Sequence, residues 1–362
     1  MPAIPITWFD KTGAASMASF YQATYSPLLS MWMWACKKDT TSGRGLIRSS
    51  DAGGTWIDTA VVFGSGSPND SQCYEVLWGG GIFVAAGRTP AGAATNVTVY
   101  TSTNGTSWFG RATGTLRITD SLIYNPTSGA YWIGGRDSSG NRTLMFSSSG
   151  SSWSAFSAPF VSANPGHVCF AFSPTLGIYV AAFDGSGSGS GCIYTTTDLS
   201  TWTQRVTPFE SGHGGQPTIT RCRWIDSLGM FFVSGNDADG NKVGMRSSNG
   251  TSWTALSTPV DSAGNFATGN DFIDCASFVA FAVKPFGNGP PTWLYSTNGT
   301  SWSSLSNLLD SPSGGQGVSG GYSPGLDQLI LTGNNGGSTV AAEMSGAEAP
   351  GPIMRNVIKL VT

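Results

Sequence analysis

Arg88 and Arg136 each close an apolar run of the same grammar, Phe83-Val84-Ala85-Ala86-Gly87 and Tyr131-Trp132-Ile133-Gly134-Gly135, so whatever positions one guanidinium positions the other. Carboxylates stand at comparable exits, at Asp39, Asp137, Asp184 and Asp237. Any two of them approaching across a fold would form the carboxylate pair of a glycosidase. His167 and His213 are the only histidines, so a nucleophile–histidine constellation must use one of them. Neither follows a G-x-S-x-G elbow, and His213 sits in the loop Ser211-Gly212-His213-Gly214-Gly215. The six cysteines, Cys36, Cys73, Cys169, Cys192, Cys222 and Cys275, include no C-x-x-C pair. No metal site and no cofactor are therefore expected.

Charge excludes some partners. The 18 Lys and Arg against 21 Asp and Glu leave a net charge of −3, and no basic cluster exceeds Lys37-Lys38. That is not the electrostatic footprint of a nucleic-acid binder. The longest apolar run, Met31 to Cys36, is too short to span a bilayer, and the opening MPAIPITWFD lacks the basic and apolar regions of a signal peptide. The expectation is a chain made in a cytoplasm, with no membrane insertion and with reduced thiols. Cys73, Cys169, Cys222 and Cys275 are expected at one recurring position of an inner strand, as small buried residues.

The elements that position these residues come from a repeat. Six copies of a short phrase end in Ser/Thr-Trp, at Trp56, Trp108, Trp153, Trp202, Trp253 and Trp302, 45 to 52 residues apart. A period near fifty built of β-type segments reads as blades of a propeller. In the fourth repeat, His167 to Phe172 is an apolar strand, Ser173-Pro174-Thr175-Leu176-Gly177 a turn, and Ile178 to Phe183 a second strand. Cys192 to Thr196 and Thr201 to Arg205 complete four antiparallel strands. Only Lys11 to Ala23 reads as even a short helix. A further unit without the tryptophan starts near Gly321, and Trp8 precedes Trp56 by one period. The expected fold is an all-β, seven-bladed propeller over residues 1–345, with Ile6-Thr7-Trp8 as the outer strand closing the last blade and six blades as the alternative count. Residues 346–362 form a linker and an apolar strand, Val357 to Val361, that docks on its own ring, on a neighbouring subunit, or as one more strand of the last blade.

Each phrase closes on itself. An Asp, Asn or Ser starts a turn, usually followed by Gly, and its side chain bonds to amides two residues on. These residues are Asp51, Asn104, Asp198, Asn249 and Asn298, with Ser149 in the third copy. Ser49-Ser50-Asp51-Ala52-Gly53-Gly54-Thr55-Trp56 resembles the Asp-box (BNR) repeat of sialidase-like propellers, Ser-x-Asp-x-Gly-x-Thr-Trp, and the other copies are one residue shorter. The resemblance implies a box between the third and fourth strands, on the face away from any active site. A sialidase-like enzyme would also need an arginine triad and a Tyr–Glu nucleophile pair. The Arg-Ile-Pro signature is absent, Arg117-Ile118-Thr119 echoes it in part, and no third arginine matches Arg88 and Arg136.

A degenerate Asp-box ring rich in Gly, Ser, Thr and Asn and poor in charge is similar in style to tail and appendage proteins of tailed bacteriophages. The resemblance implies a non-enzymatic structural or receptor-recognition component of a virion, oligomeric within the particle and in contact with other virion proteins. The alternative is a glycan-cleaving hydrolase. A ligand is expected on the face opposite the repeated turns. There Lys38, Arg88, Arg136, Asp137, Asp184, Asp237 and His213 offer the mixed polar groups that suit a host-surface glycan.

Overall fold

In a computed structural model, every regular element among the described residues is a β-strand. The structure describes residues 6–10, 17–38, 45–50, 55–59, 61, 63, 72–89, 97–161, 166–185, 192–208, 217–236, 242–256, 268–284, 292–305, 316–335, 338–345 and 357–361. Asp51, His213 and Asp237 lie outside them.

The strands form antiparallel four-stranded units in simple sequence order, such as Val168–Ser173, Ile178–Phe183, Ile193–Thr196 and Thr203–Arg205. The innermost strands are Met17–Ser26, Gln72–Gly79, Leu116–Asn125, Val168–Ser173, Thr218–Ile225, Thr268–Cys275 and Gln316–Ser323. Each contacts the next, and the last contacts the first. The units containing Gln72–Gly79 and Leu116–Asn125 are further joined by the bridge between Ile118 and Arg88. Met17–Ser26 replaces the short helix expected at Lys11 to Ala23, because its pairing with Met31–Lys38 outweighs a weak local preference.

The apolar core lies between neighbouring units. Met33, Leu46 and Ala35 of one unit meet Cys73, Val76 and Phe83 of the next. Where the ring closes, Trp32, Trp34 and Trp56 meet Ile330. Pleating sends alternate side chains to the two sheet faces, so the inner strand Val168–Ser173 gives Val168 and Phe170 to one cluster and Cys169 and Ala171 to another. All six cysteines are buried and none is in a disulfide. They do not share one register: Cys73 faces Gly87, Cys169 faces Ala182, Cys222 faces Val233 and Cys275 faces Phe278 across their strand pairs. The recurrence expected from sequence is thus one of burial, met at different heights along the inner strands.

The last sheet also differs from expectation. Its fourth, antiparallel strand is Val357–Val361, paired with Ser338–Ser345. Ile6–Asp10 joins the same sheet one place further out, parallel to Val357–Val361. The apolar tail strand is nearer in sequence and takes the antiparallel place first.

Antiparallel order fixes two faces. The connections from second to third strands, and from each outer strand to the next inner one, open on an upper face. The first-to-second and third-to-fourth turns open on the lower face.

Candidate ligand-binding site

On the upper face, a cavity of about 400 Å³ opens over the ring axis between the starts of several inner strands. Tyr21, Tyr74, Asp120, Arg136, His167 and Arg221 line it. Arg136 Nη2 lies 2.8 Å from Asp120 Oδ1, while Asp120 Oδ2 accepts the Val168 amide at 3.2 Å. His167 Nδ1 lies 2.9 Å from Asp184 Oδ2, which also accepts the His167 amide at 2.8 Å, and Asp184 Oδ1 accepts the Ile219 amide at 2.7 Å. Tyr21 packs edge-on against Tyr74, ring centroids 5.3 Å apart, and donates its hydroxyl to Gln72 at 3.0 Å.

Burial and pairing tune these groups in opposite senses. The hydrogen bond to Asp184 is the main cause that raises the His167 imidazole above its ordinary value. Burial pushes Asp184 up, but the hydrogen bonds from His167 and Ile219 outweigh it, and its carboxyl is held below the usual range. Asp120 is raised, because burial outweighs its attraction to His167 and Arg136. Tyr74 is also raised by burial, against the pull of Arg88, which hydrogen-bonds it.

A charged layer forms the floor. Arg223 Nε lies 3.0 Å from Asp271 Oδ1, and Arg221 and Arg223 approach Glu75 Oε1 at 3.4 and 3.6 Å. Ser319 donates to Asp271 Oδ2 at 2.6 Å, and Glu75 Oε2 accepts the Leu122 amide. Glu75, Ser121, Cys169, Arg221 and Asp271 pair with Ala86, Gly134, Ala182, Ser234 and Ala282. They therefore occupy one strand height around the axis. Burial raises Glu75 despite the two arginines, whereas in Asp271 the arginines outweigh burial and lower the carboxyl.

The structure places the residues expected from sequence unevenly. Arg136 enters the cavity, Arg88 ends its strand beside Tyr74, and Asp184 stands behind His167. Asp137 instead caps its own turn: its Oδ1 accepts the amides of Ser139 and Asn141 at 2.8 and 2.9 Å. Lys38 ends the strand Met31–Lys38. The sequence reading missed Asp120, Arg221, Arg223 and Asp271. Their signal is a charge set inside an otherwise apolar inner strand, as in Cys73-Tyr74-Glu75 and Arg221-Cys222-Arg223. Among the described residues, no group of three His, Cys, Asp or Glu side chains is placed to hold a metal ion.

The repeated turns lie on the lower face and latch neighbouring units. Asn104 Oδ1 accepts the amides of Thr106 and Ser107 at 2.9 and 2.8 Å, Ser102 Oγ accepts the Gly105 amide at 2.8 Å, and Trp108 Nε1 donates to Gly105 O at 3.3 Å. Asp198 with Trp202 and Asn249 with Trp253 repeat the arrangement. Trp153 donates to Gly150 O at 3.0 Å, Ser149 Oγ accepts the Ser151 amide, and Asn298 accepts the amides of Thr300 and Ser301. Gly105 rests on Met31, Gly150 on Ile82, Gly250 on Ile178 and Gly299 on Met230, each the first residue of the preceding unit's second strand.

No family model matches the chain, and no curated protein matches it. Solved structures do resemble it. The BP39L lectin from Burkholderia pseudomallei is 13% identical, with a TM-score of 0.60 over 94% of this chain and 99% of that one. A puromycin hydrolase is 12% identical, with a TM-score of 0.58; the match covers 96% of this chain but 57% of that one. Sqt1 of Saccharomyces cerevisiae is 13% identical, with a TM-score of 0.52 over 96% and 86% of the two chains. The likeness defines the fold class, an all-β propeller of antiparallel four-stranded sheets.

Proposed function

We propose that this chain is a non-catalytic recognition protein of a bacteriophage particle, a seven-bladed ring with Asp-box-like turns whose upper axial cavity takes a host-surface glycan. The observation that carries the reading is the upper cavity itself. It sets the paired Asp120–Arg136 and His167–Asp184 groups beside the rings of Tyr21 and Tyr74. Planar polar groups in fixed orientations next to aromatic surface suit a ligand rich in hydroxyls. The propeller with a TM-score of 0.60 to this chain is a lectin, which favours the same class of ligand. The cyclic contacts of the inner strands support seven blades. Buried thiols outside any disulfide, low charge and abundant Gly and Ser support a virion protein that needs no disulfides outside the cell.

Hydrolysis of a glycosidic bond is the second reading, and it draws on Arg88, Arg136 and Arg221 gathering near Tyr74. Two features weigh against it. A nucleophilic tyrosine needs a lowered pKa, whereas burial raises that of Tyr74. The Glu75 carboxylate is wholly buried between two arginines. Mass spectrometry of purified particles tests the virion assignment. Binding of host polysaccharide by wild-type protein, and its loss in Arg136→Gln and His167→Gln variants that still fold, tests the site. Shortening of the polysaccharide would favour the hydrolase.

A further inference from the structure

The lower mouth of the ring axis carries a second repeated feature. Six of the seven inner strands bring an aromatic ring to the same height: Tyr25, Trp78, Tyr124, Phe172, Trp224 and Tyr322. Each pairs with the second residue of the following strand, as Trp78 with Phe83, Tyr124 with Tyr131 and Trp224 with Phe231. Asp274 holds that position in the remaining strand, opposite Val279.

These rings are half-buried. On one side they pack against the next strand: Trp78 on Phe83 at 4.7 Å between centroids, Tyr124 on Tyr131 at 4.9 Å, Phe172 on Tyr179 at 4.5 Å and Trp224 on Phe231 at 4.7 Å. On the other side, Trp78, Tyr124, Phe172 and Trp224 line a cavity of about 350 Å³ that faces solvent, with Pro126 and Pro174 beside them.

The same cavity holds two polar residues of opposite sign, Arg223 and Asp226. Arg223 is tied through Nε and Nη2 to Asp271. Exposed Asp226 accepts the Trp224 indole N–H at 2.5 Å, and its own amide donates to Asp274 Oδ2 at 2.7 Å, which pins the turn. The arrangement is aromatic faces held rigid from behind and an exposed carboxylate to accept hydroxyl protons, with Arg223 neutralised by Asp271.

We infer that this lower mouth is a carbohydrate site, separate from the upper cavity, that stacks a neutral pyranose ring on its aromatic faces. Its volume lies at the small end of ligand pockets, fitting one sugar unit rather than a peptide segment. The exposed Asp226 carboxylate disfavours an acidic sugar, and because Trp78 and Trp224 lean on Phe83 and Phe231 rather than enclosing a central point, the rings offer stacking faces for a pyranose. The inference does not rest on the upper-face reading.

The test is saturation-transfer NMR on the full chain with methyl glycosides of glucose, galactose, mannose and N-acetylglucosamine. Tetramethylammonium and glucuronate serve as charged controls. Phe172→Leu keeps apolar volume but removes a ring face, and Asp226→Asn keeps the indole acceptor at an exposed position. Near-ultraviolet circular dichroism checks that both variants fold. At least one neutral glycoside should bind, and each variant should weaken it about fivefold to tenfold, as expected for a lost stacking face or charge-assisted bond. Val206→Ser, at an exposed position that lines neither cavity, should leave it unchanged. The inference is overturned if no neutral glycoside shows transfer, if either charged control binds more strongly, or if both lower-mouth variants bind as wild type. Binding lost in Arg136→Gln alone would assign the sugar to the upper cavity.

Discussion

Single side chains in this ring do two separable jobs, and the His167–Asp184 pair shows how they can be told apart. His167 is raised in the folded protein, so its stabilisation is complete below its unfolded value, about pH 6.5, and is lost as pH rises through the folded value. Asp184 is lowered, so its share is present above about pH 4 and is lost as pH falls through the folded value. The difference in melting temperature between wild type and His167→Gln should therefore be largest near pH 5 to 6 and shrink toward pH 8. A difference independent of pH would remove the ion pair from the account. The turn residues carry stability alone. Gly105 has φ of 71°, and an added Cβ would lie 2.4 Å from Met31 Sδ, so Gly105→Ala should cost about 1 to 3 kcal/mol. Asn104→Ala loses an acceptor for two exposed amides, which water replaces, and should cost about 0.5 to 1 kcal/mol. Urea unfolding measures both.

At the scale of the element, the four-strand grammar was legible because apolar runs of four to eight residues alternate with Gly, Pro, Asn and Ser turns. The repeated turn was legible because its hydrogen bonds are local: Asn249 satisfies Thr251 and Ser252 within its own loop. The inner-strand charges were not legible. Arg223 and Asp271 lie 48 residues apart on different strands, and nothing near either shows that the other will neutralise it. Sequence therefore directed attention to loop residues such as Asp137, which is spent on its own turn. The buried layer yields a sharp comparison. Asp271→Ala strands the Arg223 guanidinium and should cost about 3 to 5 kcal/mol. Glu75→Gln should cost less, because burial already favours the uncharged carboxyl. Equal costs in denaturant unfolding would contradict the assignment of Asp271 as the principal partner.

At the scale of the whole molecule, closure comes from two distant segments in one sheet. Val357–Val361 covers the edge of Ser338–Ser345 and seats Ile6–Asp10 outside it. Removing residues 357–362 should expose that edge, release the amino-terminal strand and lower the melting temperature of the full ring, rather than leave a stable protein that fails only in assembly. The period of the repeat made the ring legible from sequence, whereas the order of its two terminal strands was not, since either apolar segment fits the outer place. The binding reading is a property of the ring too, because Tyr21, Tyr74, Asp120, His167 and Arg221 come from five different strands or their approaches and meet only at the axis. Calorimetric titration of purified host-surface polysaccharide into wild-type protein and the Arg136→Gln/His167→Gln double variant tests this most directly. The account predicts saturable binding by the wild type without shortening of the polysaccharide, and at least about tenfold weaker binding by the folded variant. Unchanged binding by the variant, or steady release of small saccharides by the wild type, would contradict it.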